Sequence, residues 1–189
     1  MSKRPLYWYW HNSLNIKEIK KINKFIVKNN DGDEDKKSAA TGNNNERLKF
    51  VKTKIIKFGK IKKLINKIVE NVYLANRNEF GFTLYDLKDS DGANYNIYDA
   101  YTKDNYQWHI DRSLNNCVDI KLTAIINLSE KPFEGGDLFL QQTGTTPVPE
   151  IKNIGGVVLF PSFIRHMVTP VTKGVRKNLA LFLNGPNLK

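Results

Sequence analysis

The chain has 189 residues and a mass of 21.8 kDa, a length that favours one domain with one core. Its 40% hydrophobic and 26% charged residues exclude a fibrous or wholly disordered protein, and no stretch reaches the ~18 consecutive apolar residues of a bilayer span. The N-terminal residues lack the pattern of a secretory signal, so we expect a cytoplasmic protein. Cys117 is the only cysteine, so any metal must be held by nitrogen and oxygen.

The net charge of +11 comes entirely from the first part of the chain. Residues 1–75 carry 18 basic and seven acidic side chains, whereas residues 76–189 carry 12 of each. Most of the excess is lysine, spread over the polar faces of two helical patterns and not gathered with aromatic residues in one groove. This distribution favours a solvated lysine surface, and nucleic acid stays an alternative partner that we do not expect.

The first 75 residues predict a helical support region. Apolar spacing predicts a helix over 16–28, which Asn15 and Glu18 begin with a capping box. Residues 29–45 are acidic and rich in glycine and asparagine, which predicts a mobile surface loop. A strand-like stretch at 48–58 precedes a second amphipathic helix that runs from about 61 to 75.

The remainder of the chain predicts a β core over residues 76–189. Because no helices intervene between its strands, the pattern indicates a sandwich or barrel with the N-terminal helices packed on one sheet. The fold class is therefore mainly β with flanking helices, in a single domain that spans residues 1–189. Gly135 and Gly136 predict a turn with positive φ. The predicted strands cover residues 80–87, 95–102, 106–110, 120–128, 137–141, 157–160, 167–171 and 175–183.

Two of the three histidines lie in contexts that suggest a metal site. His109 and Asp111 are two residues apart, so on an extended chain their side chains point to the same face. His166 lies on a later strand pattern, and two histidines with one carboxylate make the facial triad of non-haem iron oxygenases. Ten residues beyond His166, Arg176 begins an apolar β run, where a fixed guanidinium could bind the distal carboxylate of a dicarboxylate.

These motifs together resemble those of Fe(II)/2-oxoglutarate-dependent dioxygenases. Segments 121–129, 133–138 and 160–176 are similar to the prolyl 4-hydroxylase-like branch, including its bacterial and phage members, and the resemblance is strongest over residues 95–186. It implies a double-stranded β-helix, the jelly-roll of the cupin-like folds. It also implies that His109, Asp111 and His166 bind iron, that Arg176 pairs with the C5 carboxylate of 2-oxoglutarate, and that Tyr101 contacts this cosubstrate.

Alternation along the β patterns suggests further residues of the cosubstrate pocket. Along 121–128 it turns Thr123, Ile125 and Asn127 to the face opposite the apolar one, which makes them candidate pocket residues. Some relatives carry a cosubstrate-binding tyrosine where Asn127 aligns. Phe182 shares the face of Arg176 and is a further candidate. Trp8, Trp10 and Trp108 could stack on a peptide substrate, but aromatic residues near a strand edge more often belong to the core or its lid. Cys117 is assigned to a loop after the iron ligands.

The resemblance implies an enzyme that hydroxylates a C–H bond and releases succinate and CO2. Its cofactors would be Fe(II), 2-oxoglutarate and O2, with ascorbate as an optional reductant, and its best-matched substrate is a prolyl residue in a peptide or protein. Related halogenases lack the carboxylate ligand, so Asp111 argues for hydroxylation. Three alternatives stay open: a hydroxylase of another amino acid or a small molecule, a nucleic-acid dioxygenase, and a non-catalytic jelly-roll binding module. No membrane partner is expected, and a phage-encoded protein in the host cytoplasm is compatible.

Overall fold

A computed structural model describes residues 4–33, 48–112 and 118–187. Cys117 and residues 34–45 of the predicted loop lie outside these ranges. The helices are α1 (Ile16–Asn29) and α2 (Phe58–Ala75). The strands are β1 (Trp8–Trp10), β2 (Gly32–Asp33), β3 (Lys49–Phe50), β4 (Lys52–Lys57), β5 (Gly92–Asp99), β6 (Asn105–His109), β7 (Asp119–Asn127), β8 (Glu134–Gly135), β9 (Leu138–Gln141), β10 (Thr145–Val148), β11 (Val157–Pro161), β12 (Arg165–Val168), β13 (Val171–Lys173) and β14 (Val175–Gly185).

The described strands form two antiparallel sheets and one short ribbon. The larger sheet has the order β1-β11-β7-β14-β5-β4-β2, the smaller sheet has the order β10-β9-β12-β6-β3, and β8 pairs with β13. From β5 onward the chain passes repeatedly from one sheet to the other, which is the winding of a jelly-roll. The predicted fold class, mainly β with flanking helices, is confirmed.

The larger sheet has two different faces because its side chains alternate. Register pairs Leu179 with Ile126, and these residues belong to the apolar face on which α1 and α2 pack. Register also pairs Arg176 with Tyr98, on the face that points to the smaller sheet. A second core of apolar side chains, including Ile125, fills the space between the two sheets. Candidate site residues, Arg176 among them, lie in this layer.

The helices form where the apolar spacing predicts them. The capping box of α1 is present, with Asn15 Oδ1 accepting from the Glu18 N–H and the Glu18 carboxylate accepting from the Asn15 N–H. Inside α1 the buried Asn23 donates to the Leu128 carbonyl and accepts from the Tyr95 hydroxyl, which attaches the helix to the larger sheet. Neither helix of the described chain has the length and apolar character that crossing a membrane would need.

The predicted strand over 80–87 is wrong. A π-helical turn (Asn76–Phe80) extends α2 and ends at Gly81, whose φ of 67° lies in the left-handed region. The Asn76 side chain then pairs with both the N–H and the carbonyl of Phe82, so these groups are not available to a neighbouring strand. The segment forms no ladder, although the Tyr85 N–H donates to the Asn184 carbonyl of β14. Phe82 and Leu84 still pack against the apolar cluster.

Other differences concern strand ends. The strand predicted over 95–102 ends at Asp99, because residues 100–103 form a turn in which Lys103 has a φ of 50°. The stretch predicted as one strand over 167–171 contains the end of β12 and the start of β13. The positive φ predicted for Gly135 and Gly136 is confirmed, with values of 67° and 62°.

Candidate active site

The structure brings the three predicted metal ligands together. β6 ends at His109, which lies opposite His166 of β12 in the register, and Asp111 follows two residues after the end of β6. His109 Nε2 lies 3.8 Å from Asp111 Oδ1, and His166 Nε2 lies 3.5 Å from Asp111 Oδ2. One potential ligand atom from each residue lies within 4.8 Å of the others, an arrangement that could hold one metal ion.

Backbone carbonyls orient both imidazoles toward the carboxylate. Nδ1 of His109 lies 2.7 Å from the Gln107 carbonyl, and Nδ1 of His166 lies 2.9 Å from the Ile164 carbonyl. A carbonyl only accepts, so Nδ1 carries the proton in each ring and Nε2 offers its lone pair. Burial and, to a lesser extent, the neighbouring His166 together lower the pKa of His109 from 6.5 to about 2, so His109 is neutral at pH 7, as metal binding requires.

Aromatic rings hold the two imidazoles in place. The Tyr106 ring stacks on His109 with a distance of 3.4 Å between ring centroids. The Phe160 ring meets His166 edge-on at 4.8 Å. These contacts surround the polar ligand atoms with apolar surface on the side of the core, which limits the access of water from that direction.

Asp111 is held by hydrogen bonds from outside its own strand. The Thr123 hydroxyl donates to Asp111 Oδ2 at 2.6 Å, and the Asp111 N–H donates to the Ser162 carbonyl at 3.1 Å. The sequence predicts Thr123 as a pocket residue but does not predict its contact with Asp111. It assigns Ser162 to a motif without predicting a role for it. Both contacts join Asp111, beyond the end of β6, to residues far away in the chain, a relation that the local sequence does not encode.

Arg176 is a buried cation whose terminal nitrogens have no hydrogen-bond partner among the described residues. Its side chain is 1% exposed, and neither Nη1 nor Nη2 is bonded. The guanidinium lies over the Tyr98 ring, 4.8 Å from its centroid. Burial lowers the pKa of Arg176 while Tyr98 and Asp137 raise it, and a guanidinium stays charged in proteins. A buried unpaired cation is costly, so this position fits an anionic ligand such as a carboxylate.

The tyrosine beside Arg176 is Tyr98, whereas Tyr101, which the resemblance assigns to the cosubstrate, lies in an exposed turn. Tyr101 is 94% exposed in the turn after β5, whereas Tyr98 is buried and directly opposite Arg176 in the register. Burial raises the pKa of Tyr98, with Arg176 acting against it, so its hydroxyl is a neutral donor. The early end of β5 explains the difference. Strand alternation from Arg176 could have identified Tyr98, but only with the pairing of β5 and β14 known.

The remaining predicted pocket residues have different environments. Ile125 is part of the core between the sheets, and Phe182 is half-buried and pairs with Thr123 in the register. Asn127 is buried, but its amide donates to the Ile151 carbonyl and accepts from the Ser129 N–H. Its amide nitrogen and its amide oxygen thus both bind the backbone in this structure.

Gly136 makes room for Arg176. A Cβ atom at Gly136 would lie 3.0 Å from Cδ of Arg176 and 2.9 Å from Cγ2 of Val171.

Of the tryptophans, Trp8 and Trp10 lie on the edge strand β1 of the larger sheet, and the Trp108 ring contacts the Arg165 guanidinium at 5.5 Å.

Comparison with known proteins confirms the resemblance that the sequence predicts. No protein-family model matches the chain. A PKHD-type hydroxylase of Shewanella oneidensis is 35% identical over 85 residues, which cover 42% of this chain and 38% of that protein. A PKHD-type hydroxylase of Synechococcus sp. is 40% identical over 76 residues, which cover 39% of this chain and 33% of that protein. The chain thus matches less than two fifths of the length of these relatives.

Solved structures show the same fold over nearly the whole chain. A Pseudomonas putida prolyl-4-hydroxylase has a TM-score of 0.68 at 16% identity, with 96% of this chain and 94% of that chain covered. A Trichoplax adhaerens prolyl hydroxylase, solved with a peptide fragment of hypoxia inducible factor, has a TM-score of 0.63 at 15% identity (94% and 83% covered). The α-ketoglutarate-dependent carbocyclase SnoK has a TM-score of 0.65 at 17% identity (96% and 80%). The fold is the jelly-roll that these oxygenases share.

Proposed function

We propose that the protein is an Fe(II)- and 2-oxoglutarate-dependent dioxygenase that hydroxylates a C–H bond and releases succinate and CO2. One observation carries the proposal: the buried guanidinium of Arg176, whose terminal nitrogens have no hydrogen-bond partner among the described residues, faces the same layer between the sheets as a facial triad of two histidines and a carboxylate. The triad fits a divalent metal, and the guanidinium fits the distal carboxylate of a keto diacid.

The described side chains would have three roles. His109, Asp111 and His166 would hold Fe(II), which when bound supplies redox chemistry that protein side chains lack. Arg176 would bind the C5 carboxylate of 2-oxoglutarate, with the Tyr98 hydroxyl beside it as a neutral donor. The apolar side chains between the sheets, Ile125 among them, would keep water from the site and so limit unproductive oxidation.

For the substrate, we propose a prolyl residue in a peptide or protein. The support is the similarity of the fold to two prolyl hydroxylases, one of them solved with a peptide. A small-molecule substrate is the second candidate, because a carbocyclase shares the fold to the same degree. The lysine excess lies mainly on α1 and α2, behind the larger sheet, which gives a nucleic-acid substrate no support at the site.

The test is succinate formation by the purified protein with Fe(II), 2-oxoglutarate and oxygen. Parallel reactions contain proline-rich peptides, free proline or single-stranded DNA, with mass spectrometry of each. We expect stimulation by peptide together with the gain of one oxygen atom on proline. Stimulation by free proline or by DNA alone would reject the peptide substrate. Absence of iron binding or of 2-oxoglutarate binding would reject the enzyme and favour a non-catalytic jelly-roll.

A further inference from the structure

Two buried hydroxyl groups lie directly behind Asp111. Thr123 and Ser162 are 2% and 0% exposed, and a buried hydroxyl is stable only when it is hydrogen-bonded. Thr123 projects from β7 between Phe182 of β14 and Phe160 of β11, which are its partners in the register. Apolar rings therefore flank the Thr123 hydroxyl, and its polar contacts are with Asp111 and Ser162.

The chemistry of these groups fixes the direction of each hydrogen bond. A carboxylate only accepts, so Thr123 Oγ1 donates its single proton to Asp111 Oδ2 at 2.6 Å. The Ser162 hydroxyl, 2.9 Å from Thr123 Oγ1, must then be the donor in its contact with Thr123. The result is a directed chain from Ser162 through Thr123 to the carboxylate. A length of 2.6 Å is typical of a strong O–H···O⁻ bond to a charged acceptor.

The backbone of Asp111 is anchored by the same residues. Asp111 lies beyond the end of β6, and its N–H donates to the Ser162 carbonyl at 3.1 Å. The Ser162 N–H in turn donates to the Lys121 carbonyl at 3.0 Å, at the start of β7. The larger sheet and the turn after β11 therefore set the position of Asp111, while its own strand ends at His109.

The two carboxylate oxygens of Asp111 consequently differ. Each oxygen lies near one imidazole, Oδ1 at 3.8 Å from His109 Nε2 and Oδ2 at 3.5 Å from His166 Nε2. Oδ2 also accepts the strong hydrogen bond from Thr123, whereas Oδ1 accepts none from the residues that the structure describes. Since the Thr123 hydroxyl uses one lone pair of Oδ2 and withdraws charge from it, Oδ1 is the better ligand atom for a metal. Binding through both oxygens would use a coordination position that a facial triad leaves open for cosubstrate and dioxygen.

We infer that Thr123, supported by Ser162, is a positioning residue that makes Asp111 a one-oxygen ligand of the metal. The inference rests on the proposed function, because it assumes that the triad binds Fe(II). Partners that hydrogen-bond a metal ligand commonly change metal affinity about 10–100-fold when they are removed. The hydroxyl of Thr123 is thus assigned to the metal site, and not to contact with the cosubstrate.

The test compares Thr123→Val, which removes the hydroxyl at nearly constant shape, with Thr123→Ser, which keeps it. Anaerobic titration with Fe(II) and with Co(II) gives the affinities, and the visible spectrum of bound Co(II) reports the ligand geometry. We expect Thr123→Val to bind both metals about 10–100-fold more weakly and with an altered Co(II) spectrum. Thr123→Ser should restore affinity and spectrum to nearly those of the wild type.

Thr53→Val is the matched control, because Thr53 is another buried hydroxyl of the larger sheet and donates to Asn96 Oδ1 at 2.7 Å. Its metal affinity should equal that of the wild type. Unchanged affinity and spectrum in Thr123→Val, or equal losses in both valine variants, would overturn the inference. If Thr123→Val does not fold, Ser162→Ala takes its place, with weaker metal binding expected and unchanged binding contradicting the inference. A wild type that binds neither metal would instead reject the proposed function.

Discussion

At the scale of single residues, Arg176 has the clearest energetic consequence. The two terminal nitrogens of this buried guanidinium have no hydrogen-bond partner among the described residues, and the Tyr98 ring offsets only part of the cost of burying the charge, which an anion would offset further. Replacing Arg176 with Ala should therefore weaken 2-oxoglutarate binding by roughly 2–5 kcal/mol. The 2-oxoglutarate concentration needed for turnover should rise accordingly. The measurement is succinate formation as a function of 2-oxoglutarate concentration.

Arg165→Ala is the control for this prediction. Arg165 is next to His166 in the chain, but its guanidinium is exposed and bonds to the Gln141 side chain at 3.2 Å. The variant should keep the 2-oxoglutarate requirement of the wild type. An unchanged requirement in Arg176→Ala would show that this guanidinium does not bind the cosubstrate.

The three proposed metal ligands lead to a second prediction at this scale. His109→Ala and Asp111→Ala should abolish 2-oxoglutarate turnover, because each removes one of three ligands. The fold should persist, since the two cores on either side of the larger sheet are not altered. Succinate assays with circular dichroism of each variant measure both effects. Full turnover in either variant would refute the assignment of the ligands.

The residues of the site differ in how far the sequence predicts them. The pair His109 and Asp111 could be predicted because their relation is local: two residues apart in an extended chain. Tyr98 was missed because its place beside Arg176 depends on the register of β5 with β14, which are far apart in the chain. The contact of Thr123 with Asp111 was missed for the same reason, since it joins β7 to a residue beyond β6.

At the scale of elements, the turn after β8 shapes the pocket of Arg176. Gly136→Ala would place a Cβ atom at a left-handed φ of 62° and against the Arg176 side chain. We expect a loss of about 1–2 kcal/mol of stability from the backbone conformation alone, together with weaker 2-oxoglutarate binding. Urea unfolding and 2-oxoglutarate titration measure the two effects.

Gly144→Ala is the matched control for Gly136→Ala, because no heavy atom lies within 4 Å of the Cβ position at Gly144. It should leave the 2-oxoglutarate affinity unchanged. If Gly136→Ala also leaves the affinity unchanged, the close approach of this turn to Arg176 does not shape the site.

The attachment of α1 predicts a dependence of stability on pH. Glu130 accepts hydrogen bonds from Lys177 at 2.9 Å and from Asn23 of α1 at 2.9 Å, and these bonds hold the pKa of Glu130 below its usual value of 4.5. The unfolded chain therefore binds this proton more readily. The contribution is complete above about pH 4.5 and is lost as the pH falls through the folded pKa.

Glu130→Gln should accordingly be less stable than the wild type at pH 7, and the difference should shrink in acid. Urea unfolding of both proteins across the acid range measures it. A difference in stability that does not change with pH would contradict this role of the Glu130 carboxylate.

The elements themselves were largely predictable. Both helices and most strands of the core follow from apolar periodicity, since each buries one face against a neighbour. The segment 80–87 has the same alternation but no ladder, because the Asn76 side chain takes the backbone groups of Phe82. Short strands such as β8 and β10 were missed because two or four residues carry too little pattern.

At the scale of the whole molecule, ligand binding should be coupled to stability. A ligand that binds only the folded state stabilises it by about 2.7 kcal/mol at a concentration 100 times its Kd. We expect Fe(II) with 2-oxoglutarate under anaerobic conditions to raise the unfolding temperature, and a chelator to reverse the effect. Differential scanning fluorimetry with and without chelator is the measurement. If Fe(II) with 2-oxoglutarate does not change the unfolding temperature, the result would argue against both the metal site and the 2-oxoglutarate site.

The division of the site between the two sheets has a final consequence. His109 and His166 lie on strands of the smaller sheet, whereas Arg176 lies on the larger one. A molecule held at both ends must span the gap between them, and the interdigitated side chains of the core set the width of that gap. The distance between the two sheets would therefore select a keto diacid by the number of carbons between its two ends.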